Sequence, residues 1–185
     1  MNRKARKRIW KGMAAGAVSG LAATFVMTQV QKAVGRLSEN RRVAEHPQHS
    51  ERRGEPGSAR QQTGDDATVK AASALWRKVT GHAPSQRVKE IGGPLLHYGM
   101  GAVSGAFYGA TAERRKLPRW VGLPFGAALF AGADVLAIPL LGLAKPPRRH
   151  PVQVYGRALA AHLAYGLTTE ALTPLARRGL DRLTS

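Results

Sequence analysis

Residues 128–143, ALFAGADVLAIPLLGL, hold a single charged side chain, Asp134. Desolvating a lone carboxylate costs several kcal/mol or more, so Asp134 needs a proton, a partner or water. An imidazole can supply the first two, and a second apolar stretch, residues 152–169, carries His162. Asp134 stands ten residues before Ala144 and His162 ten residues after Val152. On helices rising about 1.5 Å per residue, both lie about 15 Å from the connection that joins them. Antiparallel neighbours would therefore bring the two groups to matching depth. Each makes the other tolerable by sharing charge or a proton.

Helical spacing extends this pair into a column. Tyr155, Tyr165 and Thr169 stand at offsets of minus seven, three and seven from His162. His97, Ser104, Tyr108 and Thr111 stand at zero, seven, eleven and fourteen on an earlier stretch. Each set falls on one helix face. Glu113 and Glu170 follow at the same end of the two stretches, as a mouth. One reading is a path for protons or a small cation, centred on Asp134 and His162. The other is a polar pair that fixes helix register. Tyr98 and Tyr155 also suit an aromatic belt, and Glu113 and Glu170 could pair with neighbouring Arg114 or Arg177.

No enzyme constellation accompanies these groups. The chain lacks a Walker loop, a Gly-x-Ser-x-Gly elbow and a His-Glu-x-x-His pair. It has no cysteine, which excludes disulfides, iron–sulfur clusters and thiolate zinc sites. His46 and His49 are three residues apart without a helix to present them. No catalytic residue, metal ligand or cofactor is assigned.

The elements that must carry these groups are legible in the charge pattern. Lys and Arg number 29 against 11 acids, a net charge of +18. Four stretches escape them: 12–31, 94–112 and 121–143 contain no Lys or Arg, and 152–169 contains only Arg157. Each is about as long as a helix needs to cross ~30 Å of hydrocarbon. The expectation is an all-α, four-helix transmembrane bundle. Segments 1–11, 113–120 and 170–185 together hold thirteen basic residues, which places both termini in the cytoplasm. The start, MNRKARKRIWK, resembles a signal-peptide n-region, but the apolar run after it is too long and no small-x-small site follows. Its charge reads as a topology signal and a contact for anionic lipids, not as specific nucleic-acid binding.

The extracytoplasmic loop is then 32–93. Residues 36–66 are polar, rich in Pro and Gly, and expected to be irregular. Residues 65–81, DDATVKAASALWRKVTG, place Val69, Ala72, Leu75, Trp76 and Val79 on one face. They predict an amphipathic helix over about 66–80, capped by Asp65 or Asp66 and ended by Gly81. It would lie on lipid or dock on the bundle. A second short helix is expected from Ser85, with Gly92, Gly93 and Pro94 at its junction with the next span.

Glycines at intervals of four mark the packing faces: Gly12, Gly16 and Gly20, then Gly101, Gly105 and Gly109, then Gly122 and Gly126. Such seams let helix backbones approach closely, within one chain or in a homo-oligomer. Two strings also align without a gap, YGMGAVSGAFYGATAE (98–113) and YGRALAAHLAYGLTTE (155–170). They pair Tyr98 with Tyr155, Gly99 with Gly156, Tyr108 with Tyr165, Gly109 with Gly166, Thr111 with Thr168 and Glu113 with Glu170. A weaker match pairs Gly12 with Gly122, Gly16 with Gly126 and Thr24 with Asp134. The pattern reads as a duplicated helical hairpin with residues 32–93 inserted in the first copy.

The pieces LLHYGMGAVSGAFYGATAE, GADVLAIPLLGLAKPP and HLAYGLTTE resemble the YagU-like family of bacterial inner-membrane proteins. That resemblance implies an inner-membrane location and a small multi-pass topology, and supplies no reaction. An acidic pair is common in that family where this chain has Asp134-Val135, and only the first acid is kept here. The expected function is a structural, stress-response or assembly role without catalysis. The alternative is proton or small-cation transport, or sensing, through the column.

Overall fold

The computed structural model describes residues 2–45, 64–115, 117–137, 140 and 152–183, and among these it consists of helices and short connections, with no strand. Helix α1 runs Arg3–Glu45, with no proline to interrupt it before Pro47. It thus passes through residues 36–45, which composition had suggested were irregular. Arg, Leu, Ala and Glu in that segment are good helix formers, and they extend a helix already nucleated upstream. Residues 46–63 of the expected irregular segment, with His46 and His49, lie outside the described residues, and its last three residues open the next helix.

Helix α2 covers Gly64–Thr80. Gly81 ends it at φ 71°, where its N–H donates to Arg77 O at 2.9 Å, a left-handed closure that glycine adopts without steric cost. The side chains of Asp65 and Asp66, the expected caps, are outside the description. Helix α3 is continuous over Gln86–Arg115, with Val88 N donating to Ser85 Oγ at its start at 3.3 Å. The junction expected at Gly92–Pro94 is therefore the interior of one helix. Helix α4, Gly122–Phe130, continues as a π-helical segment, Ala131–Ala137. Helix α5 runs Val152–Leu183, through Pro174 and well past the apolar stretch.

Helix α1 is the centre of the assembly, packed along α3 on one side and α5 on the other. The glycine spacing sets the first contact. A methyl group on Gly16 would collide with Gly105 O, one on Gly20 with Gly101 O, and one on Gly109 with Gly12 O. Backbone thus touches backbone, antiparallel, along the whole seam. On the second side, Ala23 and Met27 pack with Ala161 and Tyr165. Helix α4 lies on α5 by the same device: Gly122 faces Gly166 and Gly126 faces the backbone of His162. Helix α2 docks on α3, where Val69 and Ala72 fill the space left by Gly93 and Gly92. Leu75 and Val79, on the rest of its apolar arc, stay exposed.

The partition of side chains is inverted relative to a protein folded in water. Thr24, Thr169 and Ser19 are the largest fully buried side chains. Val103 and Phe107 on α3 are 72% and 68% exposed, and Val18, Leu21 and Phe25 make an apolar outer face on α1. Water-soluble cores bury such residues first. One helix among the described residues, Arg3–Leu37, is long and apolar enough to cross a membrane, and Gly122–Ala137 is a shorter apolar helix.

Candidate functional site

The apolar sequence around Asp134 gives a helix, and the geometry of that helix decides where the carboxylate points. An α-helix turns about 100° per residue. Continued from Gly122 and Gly126 in that geometry, Asp134 would point roughly 80–100° away from α5. The wider π turn rotates the chain by about 20° less per residue. Over Ala131 to Asp134 this brings the carboxylate back in line with Gly126, onto α5.

There it meets His162. Asp134 Oδ2 lies 3.7 Å from His162 Nδ1, an ion-pair distance too long for a hydrogen bond. The same Nδ1 is 2.9 Å from Ala158 O, one turn back on α5. A ring carrying its proton on Nδ1 donates to that carbonyl. A second proton, on Nε2, would convert the contact with Asp134 into an ion pair. Phe130 covers the site, its ring 5.8 Å from His162 and 6.3 Å from Tyr155.

The remaining groups of the expected column separate into local contacts. Tyr108 and Tyr165 flank the Phe125 ring at 5.0 Å and 6.3 Å. Tyr165 donates to Gly101 O on α3 at 2.6 Å, a bond that crosses the bundle. Thr111 and Thr169 donate to Phe107 O and Tyr165 O within their own helices, as Thr24 does to Gly20 O. Such back-bonding satisfies a hydroxyl locally. Ser104 is half-buried on α3, and His97 packs edge-on against Tyr98 at 6.1 Å. The structure thus brings Asp134 to His162 and Tyr108 to Tyr165 through Phe125. Tyr108 and Tyr165, two members of the expected column of hydroxyl and imidazole groups, form an aromatic layer with Phe125.

Glu113 and Glu170 lie at one end, where α1 and α4 begin and α3 and α5 finish. Glu170 stands near Tyr108 and packs on Gly122, and its Oε1 is buried without a hydrogen-bond partner. Glu113 is held by two cations, Arg177 Nε at 2.8 Å and Arg8 Nη2 at 3.3 Å. Arg177 also pairs with Asp181, which accepts from Lys11 Nζ at 2.7 Å. The bonds from Arg177, then Lys11, hold the Asp181 carboxyl down at about 2, and the same Asp181 bond raises Arg177. This clasp ties α1, α3 and α5 together. The sequence named Arg177 as a partner. Arg8 and Lys11 could not be paired from spacing, because their acids lie more than 100 residues away.

Among the described residues no group of three or more His, Asp or Glu could hold a metal ion. No protein-family model, no curated protein and no solved structure matches the chain.

Proposed function

We propose that this chain is a small multi-pass membrane protein with a structural, stress-response or assembly role and no catalytic step. The inverted partition of side chains carries this reading. Val18, Phe25, Val103 and Phe107 face outward over helices whose interior is Ser, Thr, Gly and Ala. In lipid, an apolar exterior is solvated, and close backbone contact replaces the hydrophobic drive for association. Helices α3, α4 with its π extension, and α5 cross beside α1 in this reading, although glycine, tyrosine and threonine make α3 and α5 less apolar. The basic segments 1–11, 113–120 and 170–185 belong to one end of the bundle, so both termini sit on the cytoplasmic side. The resemblance to YagU-like proteins agrees with an inner-membrane location.

The internal repeat fits the same picture. Gly12 packs on Gly109 and Glu113 as Gly122 packs on Gly166 and Glu170. Gly16 lies on Gly105 as Gly126 lies on His162. The residues matched by the repeat therefore make matched contacts, as two copies of one hairpin would. Cysteines placed at Ala5 and Leu180 of the otherwise cysteine-free chain should react with a membrane-impermeant maleimide only after the inner membrane is opened. Labelling of both in intact spheroplasts would remove the proposed topology.

A second reading rests on Asp134 and His162, a titratable pair 3.7 Å apart within the apolar stretches. It makes the pair the centre of proton or small-cation transfer or sensing. In proteoliposomes under a pH gradient, the protein would conduct protons and Asp134→Asn would reduce the flux at least tenfold while remaining folded. Equal flux in both, or none in the wild type, assigns the pair to helix register alone.

A further inference from the structure

The end of the bundle that carries the clasp also has a groove between α1 and α3, lined by Ala5, Arg8, Ile9, Glu113 and Arg114. Ala5, Arg8 and Ile9 share one face of α1 because residues three and four apart on a helix are neighbours. The groove begins one turn beyond the contact of Gly12 with Gly109, so it opens where the tightly packed apolar seam finishes. Its chemistry is divided. Ile9 and Ala5 give an apolar side, and Arg8 and Arg114 give two guanidinium groups.

Glu113 does not cancel those charges. It is shared between Arg8 and Arg177, and Asp181 is shared between Arg177 and Lys11, so with Arg114 on the groove wall four cations stand against two carboxylates and an excess of two positive charges remains. Arg8 meets Glu113 through Nε at 3.4 Å and Nη2 at 3.3 Å. Both contacts go to the same oxygen, Oε2, and the Arg8 side chain is 61% exposed, so its Nη1 edge is left for another acceptor. A planar fork on the same groove as a second guanidinium is suited to a phosphate, which arginine binds in bidentate fashion.

We propose that this groove binds the phosphodiester headgroup of an anionic phospholipid. The phosphate sits between Arg8 and Arg114, and the glycerol backbone lies on Ile9 and Ala5. Two features favour lipid over free phosphate. The groove has an apolar wall continuous with the apolar seam. On the adjacent face of α1, Trp10 is 62% exposed within a second concavity lined by Arg3, Lys4, Arg6 and Lys7, the amphipathic ring and cations expected at a bilayer interface. The inference rests on the membrane reading above and goes beyond it, because it names a site where general attraction to a charged surface would need none.

The test is native mass spectrometry of the full-length protein in detergent, with phosphatidylglycerol or phosphatidylcholine added at equal concentration. The wild type should retain one phosphatidylglycerol at least fivefold more than phosphatidylcholine. Arg8→Ala/Arg114→Ala should lose that preference, while Arg178→Ala/Arg182→Ala, an equal loss of charge on α5, should keep it. Arg114→Ala alone leaves the Arg8–Glu113–Arg177 contacts in place and should still weaken retention several-fold. Glu113→Gln should retain the lipid, since it removes a competing anion. Inorganic phosphate at millimolar concentration should not displace it, and displacement would assign the groove to a free anion and overturn the lipid proposal. Equal retention of both lipids, or unchanged retention in Arg8→Ala/Arg114→Ala, would also overturn it. The membrane reading fails by a different sign: a protein that stays monodisperse without detergent.

Discussion

The glycines show most directly how single residues set this structure. Gly16 and Gly105 touch backbone to backbone, whereas a methyl group on Gly99 or Gly156 would meet no neighbour within 4 Å. Gly16→Leu should therefore destabilise the bundle by at least the ~1–3 kcal/mol of an overpacked core. Gly99→Ala should be neutral or mildly stabilising, because glycine costs a helix interior about 0.5–1 kcal/mol. Unfolding in mixed micelles, followed by circular dichroism, separates the two. Equal effects at both positions would mean that the seam does not hold the helices together. The seam was readable from spacing alone, because glycine at intervals of four has few other uses in an apolar helix. Which seam faced which was not readable, since Gly12, Gly16 and Gly20 could equally have met a second copy of the chain.

At the scale of the element, the π segment places Asp134. It amounts to one residue more than an α-helix needs to keep its face. Deleting Gly132, around which a methyl group would find open space, should relax the segment to α-helix and leave the carboxylate on α5. Deleting Val135 should also restore an α-helix, but with Asp134 rotated off that face by roughly 80–100°. With Asp134→Cys and His162→Cys as the only cysteines, oxidative crosslinking should persist in the first deletion and fall at least fivefold in the second. Crosslinking that ignores the position of the deletion would show that the π turn is incidental. The repeat also explains why the two sides of the bundle differ. Under it, Ala15 corresponds to Phe125 and Ser19 to Leu129. The small residues let α1 press closely on α5, and Phe125 makes α4 meet α3 through the ring of Tyr108 instead.

The whole molecule is fastened at its basic end by the clasp of Glu113, Arg8, Arg177, Asp181 and Lys11. Asp181 has a folded-state value near 2, below its usual 3.8. Its contribution is therefore complete above about pH 4 and is lost as pH falls toward 2. Its side chain is half-exposed, so salt also weakens the contact, and at 1 M screening acts over about 3 Å. Spin labels at Ala5 and Leu180 should move apart on acidification through that window, and the spread should begin at higher pH in Arg177→Gln. A separation independent of pH in both proteins would show that the helices are held there by packing alone.

What the sequence determined by itself depends on local pattern. Stretches of about twenty residues nearly free of charge gave the helices, the spacing of glycine gave their contact faces, and equal depth gave the meeting of Asp134 with His162. These follow from the helical period and from the cost of desolvating charge, which act over a few residues at a time. Only the tertiary structure decided the π turn, the aromatic layer of Tyr108, Phe125 and Tyr165, and the partners of Glu113. Each depends on which surfaces meet. A π turn is stabilised by the face it presents to a neighbouring helix, and Arg8 finds Glu113 only because the glycine seam has already set the register of α1 against α3.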